Sequence, residues 1–377
     1  MKNIVLSIIT LTLTSVSCSL FHFLPPALNN SYWDNQFSRF LVLENITSPD
    51  QFDIGMDWND SISIAVTTNG TLSLYAYDIF NYYTALMQDY PGPASSPVMH
   101  TDKDFGLGVF YVGNADAGEM KYKPGNYWTN FSTQTEVADC LFPIDYCVSP
   151  DGKVFLVFSL VSSNTEFIIE YSDDPGSAGF FNFLPPVDTM SDIIDLTIGI
   201  RKDGVLFVGV ANNDYIVVYT VDTNKQLMNF QILDGKHAAK VTAAEDGKFY
   251  LVYLTKNYDV KMARFEIIGG NLVQTYEWMV YEGGVLVDPS YPSYSIDTVY
   301  DPVSGNGYIG FIESQYNQPL LFRFYRGQLS LVNMIHSEST NNKFINLSFD
   351  MDGNPVAGVT FGTNPYDVWV YTKWESY

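Results

Sequence analysis

DGVLFVGVANNDYIVVYTVD, residues Asp203 to Asp222, carries the pattern that decides the fold. An Asp-Gly turn opens it. A short apolar run follows, then a polar Asn-Asn-Asp turn, then an alternating run that ends in an aromatic and an acid. Short runs rich in Val, Tyr and Phe between Asp-Gly and Asn-Gly punctuation read as hairpins of β-strands. The same unit recurs from Asp151, Asp246, Asp352 and Asn59, more loosely from Gly305, and most weakly from Phe105. Its turn positions are Asp60, Gly106, Gly152, Gly204, Gly247, Gly307 and Gly353, spaced by about 49 residues on average.

A period of that length with period-two alternation excludes helical repeats and fits the blades of a β-propeller. Each unit supplies two strands. An innermost strand precedes it, as in Ile194 to Ile200 and Ile345 to Phe349. An outer strand follows it, as in Lys225 to Leu233, Asn271 to Val280 and Gln328 to Ile335. The last unit ends at Trp374 with no outer strand, while Phe37 to Leu43 is a strand with no unit before it. The expectation is an all-β chain: a seven-bladed β-propeller of four-stranded antiparallel blades, closed by the N-terminal strand pairing with the last blade. A β-sandwich array is the competing architecture.

The unit ends Tyr75-Ala-Tyr-Asp78 and Tyr219-Thr-Val-Asp222 resemble the Trp-Asp ending of WD40/YVTN-like propeller repeats. The Gly-His element of that family is absent, and Ser149-Pro-Asp-Gly152 lacks the spacing of a sialidase Asp-box. The resemblance implies a propeller fold and no activity.

The first residues read as an export signal, with Lys2 ahead of an uncharged apolar stretch from Ile4 to Val16 and small residues up to Cys18. Residues 1–18 are then a signal peptide and 19–377 a single propeller domain, secreted to the extracellular space. Val16-Ser17-Cys18 also reads as a bacterial lipobox, which would leave a surface lipoprotein anchored at Cys18. No later apolar stretch is long enough for a transmembrane helix. The net charge of −23 argues against a nucleic-acid partner. Charged residues make up only 16% of the chain, below the usual roughly 25%.

In an oxidising compartment Cys140 and Cys147 are expected to pair as a local disulfide. Asn29, Asn45, Asn59, Asn69, Asn130 and Asn346 stand in glycosylation sequons. His22, His100, His237 and His336 are scattered and form no zinc pattern. There is no nucleophile elbow, phosphate loop or His-Glu-x-x-His, and so no cofactor motif. Asp350-Met-Asp352-Gly353-Asn354 resembles a fragment of a calcium loop, though it also reads as a plain turn.

One constellation points to a ligand. Near the start of the innermost strands, Asp53, Asp145, Asp195, Asp297 and Asn346 each follow an apolar residue, and Lys240 takes the matching place in another blade. On a propeller these side chains would converge at one mouth of the channel. There they could hold a cation such as Ca2+, a sugar or a basic peptide. They could equally hydrogen-bond neighbouring backbone. Aromatic pairs near loops and outer strands are a second candidate surface: Tyr32-Trp33, Tyr82-Tyr83, Tyr127-Trp128, Tyr276 with Trp278, and Tyr291 with Tyr294. Two functions are open: a secreted non-enzymatic scaffold that binds a protein or glycan through loops on one face, and a secreted hydrolase or lyase with carboxylates at the channel mouth.

Overall fold

The computed structural model describes residues 38–47, 49–56, 62–78, 83–90, 95–101, 107–112, 117–123, 133–138, 140–160, 162–173, 179–232, 234–243, 247–287, 295–301, 305–325, 328–334, 343–350, 353–362 and 365–372. The chain divides into residues 1–36 and 37–377, and all described residues belong to the second unit. The signal segment and Cys18 lie outside them, as do Asn29, Asn59, Asn130, Asp60 and Gly106. No helix among the described residues is long and apolar enough to cross a membrane.

The described residues are all-β. Strand β1 covers Ser38–Ile46. Strands β2–β5 are Pro49–Met56, Ile62–Thr68, Thr71–Asp78 and Tyr83–Tyr90, and β6–β9 are Ser95–Thr101, Leu107–Val112, Ala117–Lys123 and Thr133–Ala138. Strands β10–β13 are Cys140–Val148, Val154–Leu160, Ser163–Ser172 and Phe181–Asp188, and β14–β17 are Asp195–Ile200, Leu206–Ala211, Ile216–Val221 and Leu227–Ile232. Strands β18–β21 are Gly235–Ala243, Phe249–Thr255, Val260–Ile268 and Asn271–Tyr281, and β22–β25 are Ile296–Asp301, Asn306–Ile312, Pro319–Tyr325 and Gln328–Met334. Ile345–Phe349, Pro355–Gly362 and Tyr366–Thr372 are β26–β28. Among the described residues these strands form seven four-stranded antiparallel sheets, six in chain order and one in the order β1-β28-β27-β26.

Burial grades across each sheet and explains the sequence pattern. Second strands such as β15 and β19 are buried along their whole length, because a neighbouring sheet covers each face. They therefore read as continuous apolar runs. Third strands such as β4 alternate, and fourth strands such as β13 are largely exposed. Adjacent sheets share cores: Phe207 of β15 stacks on Phe249 of β19 at 4.6 Å, and Tyr250 of β19 meets Phe324 of β24 at 5.6 Å. Val356 and Val370 of the last sheet share a core with Phe52 and Ile64 of the first. First strands pack on one another in the cyclic order β2, β6, β10, β14, β18, β22, β26 and back to β2.

The expected turns appear at Gly152, Gly204, Gly247 and Gly353, each with the positive φ that favours glycine. One assignment is corrected. The turn glycine after β22 is Gly305, with φ 71°, whereas Gly307 lies inside β23 opposite Tyr300. The aromatic ring of Phe324 lies over Gly307, so that glycine serves packing rather than the turn.

The disulfide expectation is also corrected. Cys140 and Cys147 occupy one strand, opposite Leu160 and Phe155. Five rungs, about 17 Å of strand, separate them, against the roughly 7 Å a bridge can span between Cα atoms. Pro143 does not turn the chain; it sits in a bulge between Leu141 and Ile144. Cys147 is a free thiol. Burial and then the charge of Asp145 push its pKa well up, which keeps it protonated and unreactive.

Small residues in the second strands let the next sheet approach. A methyl added at Gly358 would stand 2.9 Å from Ile54 and 3.1 Å from Phe52, and one at Gly310 would stand 3.1 Å from Ile345. Gly358→Ala should therefore destabilise the chain by about 1–3 kcal/mol through overpacking. Gly179→Ala, with nothing within 4 Å, should cost no more than about 0.5 kcal/mol. Chemical denaturation of both variants checks the contrast; equal losses would contradict it.

Candidate functional site

The first strand of a sheet has one edge that pairs with no strand. Its outward N–H groups need acceptors. At four seams a carboxylate on the preceding sheet supplies one. The N–H of Met99 donates to Asp53 Oδ2 at 2.7 Å, that of Ile198 to Asp145 Oδ2 at 3.0 Å, that of Ala239 to Asp195 Oδ2 at 3.0 Å, and that of Leu347 to Asp297 Oδ2 at 2.7 Å. The second oxygen often turns back on its own strand. Ile54 donates to Asp53 Oδ1 at 2.8 Å, Leu196 to Asp195 Oδ1 at 3.0 Å, and Thr298 to Asp297 Oδ1 at 2.8 Å.

These contacts define a level across the first strands. The register partners Asp53 with Ala65, Thr197 with Gly209, Asp297 with Gly310, and Asn346 with Gly358 pair a polar residue with a small one. Asp145 faces Val157, and Lys240 faces Val252. The donor at a clamped seam follows the level residue of the next strand: Ile198 follows Thr197, and Leu347 follows Asn346. Thr197, not Asp195, is thus the level residue of β14, and its Oγ1 accepts from Val241 N–H at 3.0 Å. Asp195 clamps two rungs away, on the same face. Sequence reasoning missed Thr197 because it sought acids; the shared small residue in Val-Gly-Val and Ile-Gly-Phe of the second strands would have found it.

Asp195 and Asn346 are buried, whereas Asp53, Asp145, Asp297 and Lys240 are half-buried. Burial, and then the charge of Asp297, pushes Asp53 up to about 8, against the N–H groups of Met99 and Ile54 and the charge of Lys240. Burial pushes Asp195 up to about 7, opposed by Lys240 and by the Ala239 and Leu196 amides. Burial pushes Asp297 up to about 6, opposed by Lys240 and by the Leu347 and Thr298 amides. Burial alone would lower Lys240. Asp195, Asp145, Asp297 and Asp53 outweigh it and hold the ammonium well above its usual range.

The structure thus places Asp53, Asp145, Asp297, Lys240 and Asn346 at one level of the first strands, with Asp195 displaced by two residues. Among the described residues no group of three or more His, Cys, Asp and Glu is placed to hold a metal ion, so the carboxylates do not gather as a Ca2+ cage. Asp350 accepts from Asn354 N–H at 2.7 Å and from Asn354 Nδ2 at 3.1 Å, which makes it the cap of a turn. The sequon at Asn346 is corrected, because a buried strand residue offers no glycan acceptor; Asn45 and Asn69 are exposed. Of the aromatic pairs only Tyr276 with Trp278 is described. Their rings lie 4.3 Å apart, Tyr276 is exposed, and Trp278 reaches inward to Tyr250.

No family model matches the chain, and no curated protein is similar to it. Among solved structures it is similar to the Dos1 propeller, at 12% identity over 89% of this chain and 84% of that one, with a TM-score of 0.53. It is similar to a hydrazine synthase of Kuenenia stuttgartiensis, at 14% identity over 84% and 94%, with a TM-score of 0.56. It is also similar to an ulvan lyase bound to -[GlcA(1-4)Rha3S]-, at 12% identity over 87% and 94%, with a TM-score of 0.53. The fold neighbours are propeller proteins, and at such identity the likeness shows the fold alone.

A carboxylate whose pKa is raised on folding stabilises the protein below its unfolded value, and that stability is lost as pH rises through the folded value. For Asp53 the window runs from near 4 to about 8. The melting-temperature difference between the native chain and Asp53→Asn should therefore shrink as pH rises from 5 to 8.5. Scanning calorimetry across that range tests it, and a difference that does not change with pH would refute it.

Proposed function

We propose that residues 19–377 form one exported, non-enzymatic propeller of seven blades that binds a protein or glycan partner through loops on one face. The observation that supports this most is the use made of the acids. Asp53, Asp145, Asp195 and Asp297 are all engaged in joining one first strand to the next. A general acid or nucleophile at a channel mouth would need to be aimed at substrate instead. Seven sheets, the cyclic packing of first strands and the pairing of β1 with β28 favour a ring closed by the N-terminal strand. That closure would hide the edge that β28 otherwise leaves open.

Antiparallel order puts the connections between blades and the turns between second and third strands at one end. There the loops are tied together. Val285 N–H donates to Tyr258 O, Leu286 N–H to Ile312 O, and Ser314 N–H to Gly284 O. The buried carboxylate of Glu313 accepts from the N–H groups of Gln315, Tyr316 and Gln318. Tyr316 is thereby presented at 45% exposure, while in another connection Met190, its N–H donated to Asp188 Oδ1 at 2.7 Å, stands at 86%. A large side chain displayed on a braced loop suits recognition, since less freedom is lost on binding.

The fold itself does not decide between binding and catalysis, because the neighbours include an ulvan lyase as well as the Dos1 propeller. A glycan array and a panel of polysaccharides decide it. The chain should bind at least one array ligand, lose that binding in Tyr316→Ala or Met190→Ala, and release no reducing ends from any polymer. Turnover would overturn the scaffold reading. Intact mass should show a mature N-terminus after Cys18 without lipid; a diacylglyceryl mass on Cys18 would indicate the lipoprotein.

A further inference from the structure

At this level Asp53, Asp145, Thr197 and Asp297 each accept a backbone N–H of the next first strand, and Asn346 does not. It is 6% exposed, and its Oδ1 has no hydrogen-bond partner. An unpaired buried acceptor is costly, on the order of 1–3 kcal/mol, so its environment calls for explanation. By the rule of the other seams, Asn346 should accept from the residue that follows Asp53, which is Ile54. The Ile54 N–H is already held by Asp53 Oδ1 at 2.8 Å. The carboxylate of Asp53 thus takes the donor that the seam would offer to Asn346.

The direction of Asn346 follows from its neighbours. Ile345 and Leu347 pack on Gly310 of the sixth blade, so the residue between them faces the other way, toward the first blade. Its register partner Gly358 sits against Ile54 and Phe52 of β2. In ring order β26 lies between β22, which carries Asp297, and β2, which carries Asp53. At this seam the nearby carboxylate is Asp53, whose Oδ1 holds the Ile54 N–H; Asp297 Oδ2 lies at the preceding seam on the Leu347 N–H, and its charge is the second cause, after burial, of the rise in Asp53.

We propose that this seam binds a primary ammonium group, held by Asn346 and Asp53, with the charge of Asp297 at the preceding seam. An ammonium has three N–H donors and no acceptor, and an ionised carboxylate offers about four lone-pair sites, so oxygens that each take one amide can take a further donor. On the other side of Asp297, the charges of Asp297 and the neighbouring acids already favour the ammonium of Lys240 on β18. The charged groups facing the site are Asp297, Asp53 and Lys240, with Asp145 and Asp195 beyond; the side chain of His100 on β6 is outside the described residues. A free small amine and a lysine side chain of a partner share this chemistry. The site is independent of the loop face, so loss of either leaves the other standing.

The test is isothermal titration of the full chain at constant ionic strength with n-butylammonium, with N-acetyl-lysine methylamide, and with tetramethylammonium, at pH 8.5 and 5.5. Butylammonium should bind one to one at pH 8.5, where Asp53 is largely ionised, and about tenfold or more weakly at pH 5.5, where Asp53 carries a proton. Tetramethylammonium, which has charge but no donor, should bind at least about tenfold more weakly. Tighter binding of the lysine derivative assigns the site to a protein side chain; tighter binding of butylammonium assigns it to a free amine. Asn346→Leu should lose about tenfold in affinity with an unchanged circular dichroism spectrum. Asn346→Asp, which keeps the shape, should gain affinity at pH 8.5 even if the leucine variant does not fold. No amine binding at pH 8.5, equal binding of tetramethylammonium, or unchanged affinity in Asn346→Asp would each overturn the proposal.

Discussion

A carboxylate on one sheet that accepts the backbone N–H of the next sheet's first strand is the contact on which the rest depends. A four-stranded sheet in this arrangement turns one edge inward, where no strand can pair with it. Main-chain packing alone cannot satisfy those amides, because neighbouring first strands run alongside without a ladder. Asp53, Asp145, Asp195 and Asp297 do so with a side chain that reaches across the seam. The cost is burial of negative charge, visible as the upward shift of Asp53, Asp195 and Asp297. Lys240 offsets part of it. The electrostatics of the site are thus a consequence of how the sheet edges are satisfied.

The clamps dictate packing outside the first strands. For a carboxylate to reach the next backbone, the sheets must close to contact at that level, and the second strand must leave room. Gly209, Gly310, Gly358 and Ala65 stand opposite Thr197, Asp297, Asn346 and Asp53. Farther out the wedge widens and rings fill it, as Phe207 and Phe249 or Tyr250 and Phe324 do. Similar contacts recur at the turns. Arg201 Nη1 donates to Gly247 O at 3.1 Å, and the carboxylate of Asp301 lies against Gly353, so one sheet's turn is held by the residue that opens the previous one.

How much of this was legible depended on whether the signal is local. Hairpins at Gly152, Gly204, Gly247 and Gly353 could be read because a positive φ demands glycine whatever surrounds it. The outer strand Asn271–Tyr281 and the N-terminal strand Ser38–Ile46 could be read from composition and from what the last unit lacked. Cys140 and Cys147 misled because Pro143 resembles a turn, and only the register of β10 on β11 reveals a bulge in a continuous strand. The acids of the site were found, but their level was not. Counting back from a turn treats every connection as equal in length, and Asp195 sits two rungs away from Thr197 for that reason. The sequon at Asn346 is a local signal that burial overrides.

Acids grouped on a ring do not by themselves imply chemistry, since what matters is which of their lone pairs remain. Asp145 and Asp195 each join a pair of strands, and Asp195 is fully buried, so neither is available to a substrate without loosening a seam. The seam between the last and first sheets differs because two acceptors compete for one donor there. Asp53, being adjacent, takes the Ile54 N–H, and Asn346 is left with its oxygen unpaired. A repeat protein satisfies its repeated needs in a repeated way, so a position that breaks the rule reflects either the constraint of closing the ring or the demand of a ligand. The pairing of β1 with β28 lies on the far side of the sheet from Asn346. It leaves the asparagine unexplained, and a donor from outside the chain is the chemistry that remains.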